Sequence, residues 1–90
     1  MNFAWDARKA VSNRRKHGVS FEEAATVFAD VLALHIEDLV DPQRTLLLGL
    51  STRGRLLLVV HAALDESTVR IISARRATSH ERRRYEEEGP

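Results

Sequence analysis

Between Val31 and Ala74 the chain reverses three times over connections too short to contain a helix. No other feature constrains its fold as much. Leu32, Leu34 and Ile36 alternate with Val31, Ala33, His35 and Glu37, a period of two that predicts a strand. Asp41–Pro42 marks a turn, and Arg44–Leu50 reads as a second strand, closed by Gly49 and by the Ser51–Gly54 turn signal. Arg55–Ala63 is a long third strand, Asp65–Ser67 a turn, and Val69–Ala74 a fourth strand. Strands joined this tightly pair as an antiparallel meander, because a parallel pair needs a crossover of a dozen or more residues.

The helices flank this core. Phe3 and Trp5 precede Asp6, an N-cap residue, and Ala7–Lys16 reads as a helix ending at Gly18. Its apolar positions are few, so it is expected on a surface, with Trp5 as its anchor. Ser20 and Glu23 have capping-box spacing, and Phe21, Ala24, Ala25 and Phe28 form one apolar stripe on a second helix that ends near Asp30. Thr78 and Glu81 repeat the capping-box spacing and start a third helix after the last strand, with Glu86–Pro90 as a frayed tail. The expected fold is α+β: two N-terminal helices, a four-stranded antiparallel β-meander and a C-terminal helix, in one domain over residues 1–90 with the helices on one side.

A net charge of +1 hides a segregation. Arg8, Lys9, Arg14, Arg15 and Lys16 face only Asp6 in the first helical segment, and Arg70, Arg75, Arg76, Arg82, Arg83 and Arg84 face only Glu81 in the last strand and helix. The middle of the chain is acidic. A guanidinium is planar, permanently charged and forked, which suits a phosphate gripped from two sides. The pattern points to a polyanion, RNA or DNA. The absence of cysteine excludes disulfides and thiolate metal sites and fits an intracellular address. The start lacks the apolar core of a signal peptide, and the longest apolar run, Leu56–Leu64, is about half the length needed to cross a bilayer, so a cytoplasmic protein without a membrane partner is expected. His17, His35, His61 and His80 show no metal-ligand spacing, and no glycine-rich phosphate loop occurs, so neither a metal nor a cofactor is expected.

Three stretches carry a resemblance. FAWDARKAVSNRRKHGVSFEEAATVF at residues 3–28, the Gly49–Leu50–Ser51 and Gly54–Arg55 loop, and VRIISARRATSHERRRY at 69–85 resemble the BrnT toxin family of bacterial type II toxin–antitoxin systems. The resemblance implies a RelE-like fold and a ribonuclease that arrests growth. It also implies neutralisation by a BrnA antitoxin with a ribbon-helix-helix DNA-binding domain, in an assembly of two toxins and two antitoxins that reaches operator DNA only through the antitoxin. Two departures remove carboxylates that the family tends to carry: Gln43 stands before Arg44, and the third strand's apolar run ends in His61–Ala62–Ala63.

Cleavage of RNA by its own 2′-hydroxyl requires no protein nucleophile and no metal. It requires cations around the pentavalent phosphate, a base for the 2′-oxygen and an acid for the leaving 5′-oxygen. Arg75 and Arg76, where the last strand ends, are the first candidates for charge stabilisation, with Arg44 and Arg70 next. In a regular strand Arg70 and Arg75 point to opposite faces, which would leave one of them structural. His61 is the candidate for proton transfer, although it shares a strand face with Leu57, Val59 and Ala63, where a histidine is commonly just held in place. Lys9, Lys16, His17, Arg82 and Tyr85 are candidate RNA contacts. The alternative is a non-catalytic module that binds nucleic acid or the antitoxin through the same arginine surface.

Overall fold

The computed structural model describes residues 1–88. In chain order it contains β1 (Asn2–Ala4), α1 (Ala7–His17), α2 (Phe21–Thr26) running into a 3-10 turn at Val27–Ala29, β2 (Leu34–Glu37), β3 (Thr45–Leu50), β4 (Leu56–Ala63), β5 (Thr68–Arg76) and α3 (Ser79–Glu88). The four expected strands form the antiparallel run β5-β4-β3-β2, as their short connections require.

Four expectations need correction. β1 adds a fifth strand, parallel to β5, so the sheet is mixed. Three residues are too few to show a period, and β1 exists because β5 offers its edge: Asn2 N–H donates to Ser67 O at 2.6 Å, and Phe3 lies opposite Val69. β2 starts at Leu34 rather than Val31, because Asp30 folds Val31–Leu32 into a turn, accepting from Leu32 N–H (2.9 Å) and Ala33 N–H (3.1 Å). Glu86–Glu88 are helical, with Arg84 and Glu88 paired at i, i+4, while Gly89 and Pro90 lie outside the described residues. Finally, the helices pack on both faces of the sheet.

One face carries the larger core. Phe21, Ala24 and Val27 from the second helical segment meet Leu47, Leu57, Val59, Ile71 and Ala74 from the sheet, with Val19 between them. Trp5 stands edge-on to Phe21 (5.9 Å between centroids), and Phe3 tilts on Phe28 (5.1 Å), so the anchoring role expected of Trp5 holds. The other face buries Leu48, Leu56 and Leu58, with Ala77 and Tyr85 from the α3 side packed against them. The Tyr85 hydroxyl donates to Asp30 Oδ2 at 2.7 Å and pins α3 there. Among the described residues, no helix is long and apolar enough to cross a membrane.

Gly49 lies inside β3 rather than closing it. A Cβ there would come within 2.8 Å of Ala33 Cβ and 2.9 Å of Val27 Cγ1, so the 3-10 turn packs directly on the strand backbone. Gly49→Ala is expected to destabilise the fold by about 1–3 kcal/mol, read as a shift of the urea midpoint without change in slope.

Candidate functional site

The two basic segments, far apart in sequence, meet along β5. Asp6 starts α1 by accepting from Arg8 N–H (2.8 Å) and Lys9 N–H (3.1 Å), and Gly18 ends it at φ 69°. Between them, the buried Asn13 holds the helix to the sheet. Its Nδ2 donates to Ala74 O (2.8 Å) and Val19 O (3.0 Å), and its Oδ1 accepts from Ala74 N–H (3.1 Å). One side-chain amide thereby takes the place of a neighbouring strand where β1 has stopped. Lys9, Ser12, Lys16 and His17 sit on the same side of α1 and, with Ile72 and Ser73, line a shallow cleft of about 200 Å³.

Along β5 a bulge decides which arginines share a face. Val60 lies opposite Ser73 and His61 opposite Ile71, so Ile72 is an extra residue. Arg70, Ser73 and Arg75 consequently oppose Ala62, Val60 and Leu58, which alternate onto one face of β4. Arg70 and Arg75, expected on opposite faces of a regular strand, are on the same face. They are still about 13 Å apart, the length of the Leu58–Ala62 stretch.

The end of β5 separates the paired arginine from the open ones. Arg75 forks onto both oxygens of Glu81, Nη1 to Oε1 at 2.8 Å and Nη2 to Oε2 at 2.9 Å. Glu81 Oε1 also accepts from Thr78 N–H (2.8 Å) while Thr78 Oγ1 accepts from Glu81 N–H (3.2 Å), a complete capping box at the start of α3. The Arg75 hydrogen bond, more than any other contact, holds the Glu81 carboxyl below its ordinary range. Arg76 and Arg82 are exposed and form no ion pair among the described residues. They line a cleft of about 340 Å³ together with Gly54, Arg55, Leu56 and Ala77.

The floor of this cleft rests on a buried ion cluster that the sequence reading misses. Glu23, 6% exposed, accepts from Ser51 Oγ (2.8 Å), from Arg55 Nε (2.9 Å) and from Arg55 Nη2, with Arg53 Nη1 farther off at 3.5 Å. Arg55 Nη2 also donates to Gly18 O at 3.1 Å, tying the end of α1 to the start of β4. The Arg55 hydrogen bond drives the Glu23 carboxyl down to about 2, against burial, with Ser51 assisting. Ser20 Oγ does accept from Glu23 N–H (3.0 Å), so the N-cap holds, but the carboxylate turns away from its expected capping role to Arg55. The Gly54–Arg55 pair in the turn after β3 was the one available sequence signal.

The remaining candidates lie elsewhere. His61 is 8% exposed in the helix-covered core, edge-on to Phe28 at 4.8 Å, and its Nε2 has no hydrogen-bond partner among the described residues. Burial, with a smaller push from His35, holds its imidazole below the ordinary value. It lies opposite Ile71, whereas Arg76 lies opposite Leu57 at the other end of β4. Arg44 precedes β3 and pairs with Asp41 at 3.3 Å, also at the far end of the sheet from Arg76. Arg70 is exposed beside Trp5, Asp6 and Leu64. Burial, then Asp30, pushes the Tyr85 phenol up to about 12, so at neutral pH it acts as a donor. Among the described residues, no three His, Cys, Asp or Glu side chains gather as a metal-binding group.

The family model described as "Ribonuclease toxin, BrnT, of type II toxin-antitoxin system" matches residues 5–81. This chain belongs to the BrnT family. The BrnT match takes in the α1 cleft, the Glu23–Arg55 cluster, Arg75 and Arg76; Arg82 and Tyr85 lie just past its end. The 1.1 Å crystal structure of the Brucella abortus ribonuclease toxin BrnT has the same fold, with a TM-score of 0.73 over 88% of this chain and 99% of that one at 21% sequence identity. Among curated proteins, no match to the chain was found. Membership makes this a ribonuclease toxin of a type II toxin–antitoxin system, which implies an antitoxin partner and an RNA target.

Proposed function

We propose that the chain is an endoribonuclease that cleaves cellular RNA without a metal and holds the scissile phosphate at the cleft between Arg76 and Arg82. The observation that carries this reading is the division of labour at the end of β5. Arg75 is tied to Glu81 and positions the start of α3, while Arg76 and Arg82, with no ion pair among the described residues, line a cleft whose third guanidinium, Arg55, is fixed by Glu23. The two open guanidiniums supply charge for a pentavalent phosphate, while Arg55, its own charge offset by Glu23, holds the floor of the cleft. Lys9 and Lys16 extend the phosphate track along α1. We assign proton transfer to His17 rather than to the buried His61. His17 lines the α1 cleft and is bonded to Gly18, whose carbonyl Arg55 holds, which links it to the arginine cleft. In the cell this activity arrests growth in the cytoplasm. A BrnA-like antitoxin with a ribbon-helix-helix domain neutralises it in an assembly of two toxins and two antitoxins, and only the antitoxin touches operator DNA.

The test is incubation of the purified chain with RNA in EDTA, followed by analysis of the product ends. Cleavage is expected to persist and to leave 2′,3′-cyclic phosphates. His17→Gln is expected to slow it by about a hundredfold while RNA still shifts on a native gel. Intact RNA after prolonged incubation would reject catalysis. One observation favours the non-catalytic alternative: Glu23 and Glu81, the carboxylates that touch these arginines, are both held in ion pairs and leave no acidic base there. That reading expects binding which weakens steeply with salt and no product at all.

A further inference from the structure

At the end of the sheet opposite β1, β2 has β3 as its neighbour on one side and, among the described residues, no strand on the other. Leu50 N–H turns toward the β2 side, where Asp30 receives it, while Ser51 N–H bonds Arg55 O on the β4 side. Backbone groups alternate between edges, so Leu46 and Leu48 face β2 and bond Ile36 and Leu34 opposite them. His35 and Glu37 are left with their N–H and C=O groups facing outward.

Edge strands are usually blunted by lysine, proline or a bulge. β2 reads Leu34-His35-Ile36-Glu37, with no lysine, proline or bulge; its protection is its length of four residues and the single charge of Glu37. Exposed aliphatics bracket it instead. Val31 (94% exposed) and Leu32 precede it, and Leu39 (93%) and Val40 (94%) follow. The trailing pair sits in a turn closed by Asp38, whose Oδ1 accepts from Val40 N–H (2.9 Å) and Asp41 N–H (3.1 Å).

We propose that this edge pairs antiparallel with the same edge of a second copy of the chain, about a twofold axis at Ile36, joining the two sheets into one. The register follows from the outward-facing residues. Centred on Ile36, each His35 lies opposite Glu37 of the other copy, so both outward pairs exchange backbone hydrogen bonds and an imidazole meets a carboxylate twice. Centred on Glu37, two carboxylates would face each other; centred on His35, Glu37 would face Ala33. The antiparallel axis sets the end of β2 in one copy beside its start in the other, so the exposed turn after β2, with Leu39 and Val40, lies at the end where the other copy's turn holds Val31 and Leu32. A parallel strand partner would not do this; self-complementarity is the mark of an isologous contact. On the less covered face the two Ile36 side chains meet at the axis, with Leu34 of each copy to either side. The proposal does not depend on the ribonuclease reading.

The test is sedimentation velocity of the purified chain over a concentration series, combined with hydrogen exchange at His35 and Glu37. A species of twice the 10.2 kDa chain mass is expected to grow with concentration while those two amides become protected. His35→Pro removes an outward N–H at a position where an edge tolerates proline, and Val40→Asp charges an exposed turn that contributes nothing to the core. Each is expected to weaken dimerisation by at least about tenfold. If His35→Pro fails to fold, Val40→Asp decides alone, its circular dichroism matching the parent chain. A monomer at every concentration with unprotected amides overturns the proposal. So does a dimer indifferent to Val40→Asp, and so does protection of His35 and Glu37 that appears only when antitoxin is added, which would give the edge to an antitoxin strand.

Discussion

Arg76→Ala is expected to lower RNA cleavage by about a hundredfold or more and to leave the unfolding midpoint where it was. The side chain is exposed, lines the arginine cleft and forms no ion pair among the described residues, so its removal strands no partner. Arg76→Lys should recover part of the lost rate, because an ammonium keeps the charge but cannot grip two phosphate oxygens at once. Arg75→Ala provides the contrast. It frees Glu81 from its bidentate partner at the start of α3, so activity and stability should fall together. The measurement is cleavage of a quenched fluorescent RNA beside a urea titration for all three variants. Full activity in Arg76→Ala would remove this cleft from the mechanism.

Glu23→Ala is expected to cost about 3–5 kcal/mol, because it leaves Arg55, whose side chain is 19% exposed, charged and without its carboxylate. For a chain of 90 residues, at roughly 0.05–0.15 kcal/mol per residue, that is at least about a quarter of its stability, so the variant should unfold at a markedly lower urea midpoint than the parent chain. Glu23 also makes the fold acid-sensitive in a defined window. Its carboxyl sits at about 2 when folded, against an ordinary 4.5, chiefly because Arg55 hydrogen-bonds the ionised form. The folded state therefore favours the carboxylate. The stabilisation, about 3 kcal/mol, is complete above pH 4.5 and is lost as the pH falls from there through about 2. Urea midpoints across that window should fall more steeply for the parent chain than for Glu23→Gln, which has no proton to take up. Parallel slopes would mean that Glu23 is not held as an anion by Arg55.

Much of this architecture is legible without coordinates. The periods of two and of 3.6, the turn signals and the caps at Asp6, Ser20 and Thr78 mark three helices and four strands, because each of those signals lies within a few residues of what it determines. The basic cleft is half-legible. Arg76, Arg82, Lys9, Lys16 and His17 stand out by charge, but nothing local shows that Arg75 is taken by Glu81 while its neighbour is not.

Two pairs of residues mark the boundary. Ser20–Glu23 and Thr78–Glu81 have the same spacing and predict the same capping box, and by sequence they are equivalent. In the fold Glu81 closes its box, whereas Glu23 turns into the protein toward an arginine 32 residues away. Likewise, alternation predicts Arg70 and Arg75 on opposite faces of a strand, and the bulge at Ile72 puts them on one. Sequence by itself determined three helices and four of the strands, that those four run antiparallel, and that residues 6–17 and 70–84 are basic. The tertiary structure alone decided that β1 joins the sheet, that α3 packs on the second face, and that Arg55 rather than Ser20 holds the Glu23 carboxylate. The division has a physical cause. Caps, turns and periodicity act through bonds between near neighbours, while the direction of a buried charge and the phase of a strand are set by partners brought together only when the chain has closed, such as Asn13 and Ala74, 61 residues apart.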